Sequence, residues 1–227
     1  MLNLENDGIN VSQEPSLTRE LVNPELAQDR AGDLLSTFNK YGYGMFPQQR
    51  RIYTLLMLII LRRRSSTNPV SVLEAGCGNG LGSAMLESEA KSLVATDRDE
   101  RSLNFAKELY PWIHFAKWDI TEKPWPTKTD MVVCVETVEH LTDINAALGN
   151  LVASSGREVW ISTPNGKGKQ KPPANPHHVR EYTVAEMQNL LGKATSKSAS
   201  VSVLSWEDLQ PVPEGTEVDP LVYRILL

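Results

Sequence analysis

The stretch Val70-Ser71-Val72-Leu73-Glu74-Ala75-Gly76-Cys77-Gly78-Asn79-Gly80-Leu81-Gly82 constrains this chain more than any other. A short apolar run ends in an acid, glycine then takes every second position, and a helical pattern follows at Ser83-Ala84-Met85-Leu86-Glu87-Ser88. That order predicts a buried strand, a tight turn and a helix N-terminus whose backbone N–H groups lack helical partners. Glycine lets the turn adopt positive φ and lets a ligand approach without meeting a Cβ. The dinucleotide fingerprint G-x-G-x-x-G is broken, because Leu81 stands where its third glycine would fall. NAD is therefore not the expected ligand.

Two more acids follow two more strands. The run Ser92–Thr96 ends at Asp97, beside Arg98. In doubly wound nucleotide folds an acid about 20 residues past the glycines grips the ribose hydroxyls, and Asp97 stands at that place. Helix capping is its alternative role, although Asp99 is better placed to cap the helix expected over 101–110. The strand over 113–117 leads to Asp119-Ile120, ahead of the evident loop Thr121-Glu122-Lys123-Pro124-Trp125-Pro126. A turn Asp is the alternative there.

Glu-x-Gly-x-Gly-x-Gly after a strand, followed in order by these two acids, resembles the first motifs of the class I S-adenosylmethionine (SAM)-dependent methyltransferases. The resemblance implies SAM as cofactor. It places Gly76, Cys77, Gly78 and Gly80 around the turn that meets the SAM carboxylate, with Glu74 near its ammonium. Asp97 and Arg98 then belong at the ribose, and Asp119 at the adenine amino group with Ile120 on the ring face. Val135, at the end of a later strand, completes the expected pocket.

Strands at 70–74, 92–96, 113–117, 131–135 and 157–162 alternate with helices at 83–89, 101–110, 143–152 and 183–191. Such alternation implies a mostly parallel sheet with helices on both faces. Two late strands, 201–205 and 221–226, have no helix between them and suggest an antiparallel edge pair. The expected fold is thus α/β, a Rossmann-like seven-stranded sheet with an edge hairpin. Thr183 and Glu186 have capping-box spacing. Residues 1–30 are expected to be loosely ordered, residues 31–64 to form N-terminal helices, and residues 31–227 to make one domain with its catalytic core over 70–227.

Ligands in open α/β sheets bind outside the carboxyl ends of the strands, and two further segments reach that rim. Glu136-x-x-Glu139-His140, Ser162-Thr163-Pro164-Asn165 and His177-His178-Val179-Arg180-Glu181-Tyr182-Thr183 together are similar to the group that contains the ubiquinone-biosynthesis O-methyltransferases. That likeness covers about residues 70–192. Methyl transfer needs an aligned nucleophile and, for a hydroxyl acceptor, a base. Of the four histidines in the chain, His140, His177 and His178 fall in these rim segments. With Glu136 they are the catalytic candidates, because imidazole titrates near neutral pH. Bracing the loop is the alternative role for His140, and anchoring the flap that for His177 and His178.

Glu136, Glu139 and His140 would also share one face of a helical turn. With His177 or His178 they would make a mixed oxygen–nitrogen site suited to magnesium or manganese. A similar Glu-x-x-Glu-His metal motif occurs in the small-RNA terminal 2′-O-methyltransferases. The spacing is shared by relatives that need no metal. Lys167, Lys169 and Lys171 alternate through a Gly/Pro-rich flap that can either order over an anion or stay solvated.

Composition bounds the partners. A net charge of −5 gives no general push toward nucleic acid, so a small-molecule acceptor is expected. A nucleic-acid or nucleotide methyltransferase, and a non-catalytic SAM-binding regulator, are the alternatives. Cys77 and Cys134 read as buried thiols of a reducing compartment rather than a disulfide framework. Residues 1–20 carry no signal-peptide pattern, and the apolar run Ile52–Leu61 is too short for the roughly 20 residues of a membrane helix. A cytoplasmic protein with no membrane segment is expected, with Arg62-Arg63-Arg64 complementing the C-terminal dipole of a core helix.

Overall fold

The computed structural model describes residues 46–65, 68–168, 173–213 and 215–227. The expectations for residues 1–45, for Lys169 and for Lys171 lie outside them. Helix α1 spans Pro47–Ser65. Proline suits its first position, where the missing N–H would have had no helical partner. Ile52, Tyr53, Leu56 and Ile60 are buried along one stripe of this helix, while Leu58 faces solvent. At the other end Arg63 pairs with the buried Glu158, and Arg64 reaches the Ser88 carbonyl at 3.2 Å and Glu89 at 3.3 Å. Among the described residues no helix is long and apolar enough to cross a membrane.

Beyond α1 the elements are β1 (Ser71–Ala75), α2 (Leu81–Glu87), β2 (Ser92–Asp97), α3 (Glu100–Leu109), β3 (His114–Lys117) and β4 (Thr129–Val135). They are followed by α4 (Ile144–Ala153), β5 (Ser155–Thr163), α5 (Val184–Ala194), β6 (Ser200–Ser205) and β7 (Leu221–Leu226). The sheet has seven strands in the order β3-β2-β1-β4-β5-β7-β6. Pairing is parallel from β3 to β5, and β7 runs antiparallel to both β5 and β6. The edge pair is therefore present as expected, with β7 inserted between β5 and β6.

Period-two alternation sends side chains to two cores. On β4, Met131, Val133 and Val135 join the core built with α1, α2 and α3, while Val132 and Cys134 join the one beneath α4 and α5. Both cysteines are free and buried. Asp99 caps α3 by accepting from the Arg101 N–H at 3.2 Å, and Thr183 with Glu186 forms the capping box of α5. The chain winds outward from β1 to β3 and then returns to β4 on the other side of β1. This reversal opens a crevice at the carboxyl ends of β1 and β4, where ligands of such sheets bind.

Candidate active site

The glycine turn is strapped to the neighbouring strand. Gly76 and Cys77 N–H groups donate to the Thr96 carbonyl at 2.8 and 2.9 Å, and the Gly78 N–H donates to Asp97 Oδ2 at 2.9 Å. Gly76, Gly78 and Gly80 all have positive φ, as a turn this tight requires. Their missing side chains serve different neighbours. A Cβ at Gly76 would strike Thr137, one at Gly80 would press on Phe115, and one at Gly82 would overlap the Tyr53 ring. Only Gly78 among these four has open space where a Cβ would be. Gly76, Gly80 and Gly82 thus make room for side chains of the protein itself, while Gly78 faces open space.

An open cleft of about 210 Å³ lies over this turn. Gly76, Asp97, Arg98, Trp118, Asp119 and Ile120 line it from the ends of β1 to β3, and Glu136, Thr137, His140 and Leu141 from the segment after β4. Asp119 accepts the Thr121 hydroxyl at 2.6 Å and the Thr121 N–H at 2.9 Å, both on Oδ1. These bonds hold its carboxyl below the usual carboxylate range. Trp118, Thr137 and Leu141 were not singled out in the sequence, although Trp118 directly precedes the Asp119-Ile120 pair.

Glu74, Cys77, Gly78, Gly80 and Val135 do not line this cleft. Glu74 is fully buried behind the turn, where Oε1 accepts from Tyr53 Oη at 2.6 Å and Oε2 from Ser83 Oγ at 2.5 Å. Burial raises its pKa, while the two hydroxyl donors pull it back.

Glu136 directly follows β4 with φ of 47°, a left-handed conformation rare for a residue with a side chain. Its N–H lies 3.1 Å from both the carbonyl and the hydroxyl oxygen of Ser162, and the Ser162 hydroxyl donates to Oε1 at 2.8 Å. Holding a non-glycine residue there costs about 1–2 kcal/mol. Glu136→Gly is therefore expected to be more stable than Glu136→Ala by about 1 kcal/mol, measured by urea denaturation. Both variants lose the Ser162 bond, so equal stabilities would mean that the turn carries no strain.

The rim histidines are arranged differently from the expectation of a shared helical face. Only Val138–His140 forms a 3-10 turn, and Glu136 precedes it with its carboxylate turned to Ser162. His177 is exposed, and what it supplies is its carbonyl, 2.8 Å from His140 Nδ1. A carbonyl can only accept, so Nδ1 carries the proton and Nε2 the lone pair. Burial lowers the His140 pKa below the ordinary imidazole value. His178 places its ring edge-on to His140 with centroids 4.9 Å apart, its Nδ1 2.7 Å from Glu181 Oε1 and its Nε2 2.9 Å from the Asn175 amide.

Glu139 points inward, almost fully buried, and accepts from Thr163 Oγ1 at 3.1 Å. Burial and the Glu136 charge push its carboxyl well above the usual range. Ligand atoms of Glu139, His140 and His178 lie within 4.8 Å of one another. Of the two histidines left open for this grouping it is His178 that joins Glu139 and His140, and Glu136 is not part of it. The flap after β5 is tied to this turn, since Val179 and Arg180 N–H groups donate to the Glu139 carbonyl at 2.8 and 3.2 Å. Lys167 contacts the Gly215 carbonyl and lies 3.7 Å from Glu217, on the loop before β7.

Residues 72–154 match the family model of a methyltransferase domain. Over this segment the chain is similar to the SAM-dependent methyltransferases. A probable SAM-dependent methyltransferase of Mycolicibacterium smegmatis is 33% identical over 130 residues, 54% of this chain and 50% of that protein. The ubiquinone biosynthesis O-methyltransferase of Klebsiella pneumoniae strain 342 is 28% identical over 135 residues, 56% of this chain and 55% of that one. The chain spans about half the length of the curated relatives it matches. Among solved structures, a TehB-like SAM-dependent methyltransferase from Corynebacterium glutamicum superposes with a TM-score of 0.59 at 18% identity, covering 89% of this chain and 98% of the other. SAM is the cofactor that the matched family implies, and the carboxylates of Asp97 and Asp119 with the apolar side chain of Ile120, all lining the cleft, fit its nucleoside end.

Proposed function

We propose that this chain transfers a methyl group from SAM to a small-molecule acceptor. The observation that carries the reading is one cleft onto which both the acids after β2 and β3 and the Glu136–His140 turn open. When bound, SAM supplies an electrophilic methyl on a sulfonium. Asp97 would accept from the ribose hydroxyls, Asp119 from the adenine amino group, and Ile120 would lie against the ring. On the acceptor side, His140 Nε2 takes the proton of a hydroxyl nucleophile, with Nδ1–H anchored on the His177 carbonyl.

Charge supports a small acceptor. The chain carries −5 overall, and Glu136 and Glu181 both lie near Glu139 at the rim, which disfavours a polyanionic backbone. The ubiquinone biosynthesis O-methyltransferase relative is in line with this. Calorimetric titration with SAM, S-adenosylhomocysteine, NAD and ATP is expected to show the first two binding, with NAD and ATP much weaker. NAD binding as tight as SAM would overturn the reading. Methyl-labelled SAM offered with phenols and amines, or with RNA and DNA at varied salt, then separates the acceptor classes. Labelling confined to nucleic acid would refute the small-molecule part.

A second reading is favoured by the grouping of Glu139, His140 and His178. The His140 Nε2 lone pair faces the Glu139 Oε1 at 3.7 Å, two acceptors that a divalent cation would join. Loss of activity with a chelator, restored by manganese or magnesium, is its signature.

A further inference from the structure

Helix α1 lies outside the matched methyltransferase segment of residues 72–154, yet one of its side chains reaches the motif that defines that segment. Tyr53 is 5% exposed, and its hydroxyl donates to Glu74 Oε1 at 2.6 Å. Its ring lies so close to Gly82, in the first turn of α2, that no side chain could be accommodated there. The fourth glycine of the run thus admits Tyr53 rather than a ligand.

We propose that Tyr53 is a positioning residue for the SAM-binding turn, so that the donor site of this chain includes α1. The inference rests on the SAM reading above. Glu74 is a fully buried carboxylate, and the hydrogen-bond donors to its oxygens are the hydroxyls of Tyr53 and Ser83. A buried carboxylate that loses a donor must find another or give up its charge. The turn of Gly76 to Gly80 follows Glu74 directly along the chain and carries backbone N–H groups of its own. Recruiting one of them would pull the turn out of register with Thr96 and with Asp97, which hold Gly76, Cys77 and Gly78 at 2.8 to 2.9 Å. Tyr53 prevents this by satisfying Glu74 from behind. Burial and the Glu74 charge hold the phenol protonated far above neutral pH, so it stays a donor.

The test compares SAM affinity with stability in the full chain. Tyr53→Phe keeps the ring packed on Gly82 and removes only the donor, and it is expected to raise the SAM dissociation constant about tenfold. Adding Glu74→Gln to Tyr53→Phe removes the charge that needs the donor, and is expected to recover much of that loss. A support that acts on the fold alone would lower the unfolding midpoint and leave the dissociation constant within about twofold of wild type. That outcome overturns the proposal. If Tyr53→Phe does not fold, 3-fluorotyrosine at position 53 of the otherwise wild-type chain supplies the readout. Its fluorine resonance is expected to move on saturation with SAM, and an unmoved resonance overturns the proposal equally. A wild-type chain that bound no SAM would instead defeat the cofactor reading itself.

Discussion

Asp97→Ala is expected to bind SAM at least about tenfold more weakly than the wild type. Each Asp97 oxygen already accepts one backbone N–H, Oδ2 from Gly78 and Oδ1 from Asp99, both at 2.9 Å. That arrangement fixes the carboxylate at the cleft with lone pairs to spare for two ribose hydroxyls. A hydrogen bond to a charged group contributes about 1.5–3 kcal/mol, and every 1.4 kcal/mol is a factor of ten in affinity. The loss of the Gly78 tether adds to the effect. Asp99→Ala is the contrasting variant, because it removes the α3 cap and is expected to cost about 1 kcal/mol of stability with SAM affinity intact. Calorimetry on both variants separates the roles. Normal SAM binding by Asp97→Ala with a lowered unfolding midpoint would make Asp97 a brace for the turn.

The second large effect belongs to His140. His140→Ala is expected to lower turnover of a hydroxyl acceptor about a hundredfold, the lower end of what a positioned base contributes, with SAM affinity within about twofold. Its pH dependence has a definite sign. The residue acts as a base only when neutral, and burial lowers its pKa, so the wild-type rate climbs with pH along a limb centred below the ordinary value of about 6.5. At neutral pH the base is already free. The variant should lose that acid limb. An unchanged profile with chelator-insensitive activity would leave His140 as a support for the flap. Chelator-sensitive activity restored by manganese would move the role to an ion held with Glu139 and His178.

The succession of strands and helices along the chain, the edge pair and the sequence of acids at Glu74, Asp97 and Asp119 were legible because each is a local pattern: apolar run, acid, glycine or cap. Helix boundaries differed by a residue or a few for the ordinary reason that ends fray or extend past the apolar stripe, as α1 does beyond Ile52–Leu61. Side-chain direction at the rim was not legible. Adjacent His177 and His178 differ only in which one the flap turns inward, and that is set by the Glu181 and Asn175 contacts and by the bonds to the Glu139 carbonyl. Glu136 was expected on a helical face, but its left-handed backbone breaks the periodicity that the expectation needed. The partner of Gly82 was also hidden. Nothing between Tyr53 and Gly82 in the sequence marks them as neighbours, since the contact exists only once α1 packs against α2.

The insertion of β7 between β5 and β6 has a consequence for biosynthesis. Among the described strands β6 has β7 as its ladder partner, with a single bridge to Pro211 besides, so it leaves the ribosome before the strand it needs has been made. At 5–20 residues per second the wait between β6 and β7 lasts on the order of seconds. During that time a nascent β6 offers unpaired backbone groups to any passing edge. Its alternating serines, Ser200 and Ser202 on the exposed face with Val201 and Val203 only partly covered, keep it poorly suited to sticking elsewhere. The parallel half of the sheet, which carries the cleft, can form first, and the edge closes after translation has passed Leu226.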